Sequence, residues 1–281
     1  NMIRSKSSTL FIFLLFVSLF ISARGQFSHT FTQIAAVDSG TYTFDVASIS
    51  DSLVFLANGY DGIRAFKFSD SAFTHLFHRS DSNHPARKVS ISSEGTIFLV
   101  DDRNMHAYTY YDTGFSPIAS EASYHFEDVA AASDTLLFVA SSEYGIESYS
   151  FIDSNFTQLN QANDTLNASA IALNADSIIF IASGSDGLFA FTHCDTGFTY
   201  KAHFDTGESN LALDVAIAED GTIFLADYST GLWAFTFDGT SFTNTAHIEH
   251  TEVATAFRGV AIGPDGTIFC TNNYGGVRAY T

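Results

Sequence analysis

Three aspartates stand at one register of a repeated pattern, and residues of that type, if brought together, would bind a cation. Asp45, Asp128 and Asp214 each precede a valine that opens an apolar run, at Val46, Val129 and Val215. Carboxylates converging on one point suit Ca²⁺, which takes six to eight oxygen ligands. Capping strands and keeping a surface soluble is the other use of the same residues. The equivalent positions elsewhere are Lys88, Ala170 and Gly259. A second register is just as varied, with Arg64, His106, Glu147, Phe189, Trp233 and Arg278. Arg64, His106, Trp233 and Arg278 are candidates for contact with a ligand or partner, Trp233 for a glycan in particular. Arg79, Arg87, Lys88 and Arg103 form a third group, close in sequence and suited to an anionic contact or an oriented charged partner. No Gly-x-Ser-x-Gly elbow, His-Glu-x-x-His pair or phosphate loop occurs, and the ten histidines form no metal-ligand spacing. These residues favour a non-catalytic role with no firm cofactor. A Ca²⁺-dependent hydrolase or lyase stays open as the alternative.

The elements that position these residues come from an internal repeat. Six copies open at Val46, Val89, Val129, Ile171, Val215 and Val260, spaced 40 to 45 residues apart. A phenylalanine stands nine residues into each copy: Phe55, Phe98, Phe138, Phe180, Phe224 and Phe269. Segments such as Thr222-Ile-Phe-Leu-Ala226 and Leu232-Trp-Ala-Phe-Thr-Phe237 are β-branched or aromatic and too short for helices. Asp-Gly, Glu-Gly, Asp-Ser and Asp-Thr pairs between the first two strands are tight hairpin signals. Four antiparallel strands per copy predict an all-β, six-bladed β-propeller. The sixth copy stops after its third strand at Thr281, and Phe27-Ser-His-Thr-Phe31 matches the fourth strand Phe73-Thr-His-Leu-Phe77. Residues 27–31 are therefore expected to complete the last blade and close the ring. In such a ring the inter-blade loops share one face with the loops between strands two and three, and that face is the place for a site.

Arg258-Gly-Val-Ala-Ile-Gly-Pro-Asp-Gly-Thr-Ile-Phe269 resembles the first half of an NHL repeat, and Gly187-Leu-Phe-Ala-Phe191 resembles a strand of LVIVD-type repeats. The resemblance, over about residues 27–281, is to secreted six-bladed propellers built on NHL-like or LVIVD-like repeats. It implies the architecture and carries no function with it.

Composition bounds the rest. Arg4 and Lys6 precede the apolar run Leu10–Ile21, and Ala23 and Gly25 offer a cleavage site. Residues 1–25 are expected to be a signal peptide, with 26–281 a single propeller domain. The mature chain would then be secreted and have no membrane span. The 281 residues carry 12 Lys and Arg against 31 Asp and Glu, a net charge of −19, which becomes −22 without residues 1–25. That balance excludes binding nucleic acid through its phosphates. The stretch 104–257 holds 21 of the acids and one base, Lys201, so the ring should be polarised. A polarised disc fits a protein or glycan partner, or self-assembly as a subunit of a surface layer or filament. Three sequons, at Asn155, Asn163 and Asn167, are candidate glycosylation sites. Cys194 and Cys270 fall in different blades and are expected to stay unpaired.

Overall fold

The computed structural model describes residues 43–281 apart from 51, 71, 81–82, 124, 163–165, 208–210, 250–255, 264–265 and 273–275. The expected signal peptide, the closing strand at 27–31 and Asn163 lie outside the described residues.

Alternating short apolar segments and turns fold as the repeat predicts, into antiparallel sheets with no helix among the described residues. Five sheets have four strands in sequential order, and the sixth has three. They form the six blades of a propeller, at 45–79, 86–122, 126–162, 170–204, 212–249 and 257–280. The first strand of each blade is innermost. These inner strands, Asp45–Ser50, Ala86–Ile91, Phe126–Ala131, Ala170–Leu173, Ala212–Ile217 and Phe257–Ile262, pack against one another in sequence around a central channel. The inner hairpins close as tight turns: the amides of Gly95, Gly221 and Gly266 donate to the carbonyls of Ser92, Ala218 and Gly263.

The repeated phenylalanine explains how neighbouring blades adhere. Phe55 is met edge-on by Tyr110 at 5.2 Å and Phe115 at 5.8 Å, both from the next blade. Phe98 meets Phe151 and Phe156 in the same way, and Phe138 meets His193 and Phe198. Phe180 packs against Phe237 at 5.6 Å and Phe242 at 6.0 Å. In every case the pair comes from the end of the next third strand and the start of its fourth. These four phenylalanines are buried, and each burial contributes about 1.5–3 kcal/mol. Phe224 is only half-buried and lines a cleft of about 730 Å³ with Ile217, Ile262 and Ile268.

The glycine that opens the third strand is a steric requirement. Gly187 has φ of +84°, and a Cβ there would lie 2.3 Å from the Phe204 carbonyl oxygen of the fourth strand. A side chain would push the last two strands of the blade apart at the loop-bearing face.

Candidate functional site at the mouth of the channel

Each inner strand begins at the mouth, so the first register of varied residues faces the axis. The three aspartates come together there. Each spans two blades through its carboxylate. Asp128 Oδ1 accepts the Val129 amide of its own strand at 2.8 Å, and Oδ2 accepts the Ile171 amide of the next blade at 3.1 Å. Asp214 repeats this with Val215 at 3.1 Å and Val260 at 2.9 Å. Asp45 Oδ2 accepts the Val89 amide at 3.0 Å. Blade one is thereby tied to two, three to four, and five to six. The second blade of each pair brings Lys88, Ala170 or Gly259. A Cβ on Gly259 would stand 2.8 Å from Thr271 Oγ1 and 3.4 Å from Asp214 Oδ2, so its absence leaves the carboxylate room.

The Lys88 ammonium lies among these carboxylates, 3.8 Å from Asp128 Oδ2 and 3.6 Å from Asp214 Oδ1. Burial works against its charge, but Asp128, Asp214 and Asp45 outweigh it and hold the lysine protonated well above its usual range. Burial pushes Asp128 up to about 7, Lys88 pulls it down, and repulsion from Asp45 and Asp214 adds to the rise. Asp45 is raised by burial too, against the pull of Lys88. The expected convergence of the aspartates is therefore present, with a lysine at its centre. Among the described residues no three His, Cys, Asp or Glu side chains stand close enough to hold a metal ion.

The second register does not converge. Its side chains are engaged separately, in or beside their own blades. Arg64 is ion-paired with Asp61 inside its own blade. His106 Nε2 lies 3.0 Å from Asp101 Oδ2 and faces Gly62 and Arg79 of blade one across a very small cavity. Glu147 is buried, with Oε1 accepting from Gln158 Nε2 at 2.6 Å and Tyr149 Oη at 3.3 Å. Burial raises both Glu147 and Tyr149. Phe189 stacks on His203 at 4.2 Å. Trp233 stacks on His247 at 3.6 Å and donates from Nε1 to Thr230 Oγ1 at 2.9 Å, so one face of the indole is covered. Arg278 is half-buried on the third strand of blade six.

The basic group divides as well. Lys88 enters the channel, while Arg87 pairs with Asp102 on the rim. Arg79 and Arg103 are each partnered, and Arg258 lies over the Tyr228 ring at 5.3 Å. Asn155 and Asn167 are exposed, as a glycan acceptor must be. Cys194 is an exposed free thiol and Cys270 a buried one.

A rim cluster that no linear motif announces lies between blades two and three. His125 Nε2 is 3.4 Å from Glu143 Oε2, with Tyr144 edge-on to the imidazole at 4.9 Å. Glu127 is beside them, raised by burial and lowered by Arg87 and by a hydrogen bond from Ser142. The adjacent pair Glu127-Asp128 was the available signal. One of its carboxylates faces the rim and the other the axis. Asp101 and Asp227 likewise carry no sequence signal of their own. Both are buried at the end of second strands and accept amides of the following loop, Arg103 at 2.7 Å and Ser229 at 2.9 Å.

No known family profile matches the chain, and no curated protein sequence is significantly similar to it. Solved structures share the fold. A protein of unknown function from Desulfotomaculum acetoxidans superposes with a TM-score of 0.74 at 14% identity, covering 87% of this chain and 84% of that one. The extracellular domain of a hybrid two-component system from B. thetaiotaomicron gives a TM-score of 0.62 at 13% identity, covering 87% of this chain. This chain spans 33% of that structure's length. At these identities the likeness extends to the fold alone.

Proposed function

We propose that the protein is a secreted, non-catalytic propeller that serves as an extracellular binding or assembly module through its loop-bearing face. The observation that carries this reading is the filling of the channel mouth. The residues best suited to metal chemistry are already engaged, with one another and with backbone amides of neighbouring blades. What the mouth presents outward is a rim of contact residues. Tyr60 is 70% exposed, Tyr144 39% and Leu211 42%, all in loops of this one face. Tyrosine and exposed aliphatic side chains on a rigid scaffold suit contact with a protein, a glycan or a second copy of the chain. The extracellular domain among the fold relatives agrees with secretion. No helix of the described residues is long and apolar enough to cross a membrane.

Sedimentation velocity over rising concentration, together with a glycan array, tests the reading. Self-association or glycan retention that Tyr60→Ala with Tyr144→Ala abolishes is the expected result. Turnover of an ester, lactone or glycan substrate that Asp128→Asn abolishes would overturn it.

A further inference from the structure

The fold places a side chain of the protein itself where a channel cation would sit. We propose that Lys88 is the resident cation of the ring, taking the place of a divalent metal at the channel mouth, joining blades two, three and five directly through Asp128 and Asp214 and the other blades through the backbone amides that Asp45, Asp128 and Asp214 hold. This rests on the channel geometry and does not depend on what the loop face binds.

The connectivity is the first argument. Lys88 belongs to blade two and reaches Asp128 of blade three at 3.8 Å and Asp214 of blade five at 3.6 Å. Those aspartates hold the Ile171 amide of blade four and the Val260 amide of blade six. Asp45 of blade one holds the Val89 amide, next to Lys88 itself. One ammonium thus stands at the hub of contacts that include every blade.

Charge is the second argument. The groups facing the hub from the inner strands are three carboxylates, one ammonium, and the uncharged Ala170 and Gly259. Cys270, on the second strand of blade six, is buried in the apolar seam with Ala226, Leu232 and Val260, and its thiol is pushed up to about 12 by burial and then by Asp214, so it is neutral. Lys88 is the one cation in that set.

Geometry is the third. Ca²⁺ requires oxygens at about 2.3–2.6 Å, so the carboxylates that stand off the ammonium would have to close in by about 1 Å to hold a metal in its place. With Lys88 in place the spacing, 3.6 and 3.8 Å, is that of an ion pair, longer than a hydrogen bond, and a metal could be held only if the carboxylates closed in once the side chain was gone.

The test is thermal unfolding of the wild type, Lys88→Ala and Lys88→Arg, each in a chelator and in Ca²⁺ at matched ionic strength, with titration calorimetry of Ca²⁺. The wild type and Lys88→Arg are expected to melt alike in both conditions. Lys88→Ala is expected to lose several degrees in chelator, or to fail to fold there, and to recover in Ca²⁺ with one bound ion. Lys88→Ala with Asp214→Asn should show no recovery, which separates the hub from weak surface binding. A wild type that loses stability in chelator and binds one Ca²⁺ that Asp128→Asn removes would overturn the proposal. So would a Lys88→Ala protein that melts like the wild type and ignores Ca²⁺. If Lys88→Ala folds in neither condition, Lys88→Arg decides: indifference to Ca²⁺ supports the proposal and dependence on it overturns it.

Discussion

The seams between blades and the channel they enclose are built on opposite rules. Four successive seams repeat one solution: a buried phenylalanine packed against two aromatic rings of the next blade, edge-on in all but the Phe180–Phe242 pair. The channel repeats nothing in six. Its aspartates follow a period of two blades, and Lys88 breaks even that. Six-fold repetition is suited to packing, where every interface has the same area to bury. Charge cannot be repeated in this way. Six carboxylates at one axis would repel one another, so small residues alternate with them and one lysine offsets part of what remains.

Breaking each region separately sharpens the contrast. Lys88→Met should have the largest effect, about 3–5 kcal/mol at neutral pH, because it leaves the buried Asp128 and the half-buried Asp214 without their counter-charge. The loss should shrink on acidification, which protonates them, and urea melts at two pH values would show this. Phe180→Ala should cost about as much, about 3–5 kcal/mol, with no pH dependence, since only packing is lost. Phe224→Ala, at the half-buried position beside the cleft, should cost less than Phe180→Ala in the same melts.

Asp128→Asn should cost about 1–3 kcal/mol, because an amide nitrogen replaces one of two accepting oxygens and meets a backbone N–H. The smallest effect is on the pH profile of the wild type. The Asp128 carboxyl is at about 7 in the folded state against 3.8 for the free group, so the folded protein holds the extra proton between those values. Its contribution to stability therefore weakens as pH rises from about 4 to about 7 and is level above. Lys88 is raised above 10.5, so its contribution is complete below that pH and is lost as pH climbs beyond it. Asp128→Asn should flatten the slope between about pH 4 and 7 and leave the alkaline limb in place.

The fold was legible because the repeat is. A phenylalanine nine residues into each copy, turn pairs at constant offsets and short β-branched runs leave little choice of architecture. The convergence of Asp45, Asp128 and Asp214 was legible for the same reason, since equivalent positions in a closed ring must meet at its axis. Lys88 was not. Its neighbours in sequence, Arg87 and Arg103, put it in a surface group, yet alternation along a strand sends Arg87 to the rim and Lys88 to the channel. The second register misled in the other direction. His106, Glu147 and Trp233 occupy one register and look like a set, but each is engaged separately, in or beside its own blade. The histidines stacked on Phe189 and Trp233 depend on the pairing of third and fourth strands, Phe189 with His203 and Trp233 with His247, which no local motif announces.

The central claim is that a bond across the channel, from blade two to blade five, carries stability. The double-mutant cycle of Lys88→Met and Asp214→Asn measures it directly. The structure predicts a coupling of about 1–3 kcal/mol at neutral pH, with the double variant more stable than the two single losses added together. Losses that simply add would show that Lys88 and Asp214 do not act on each other, and would contradict the account.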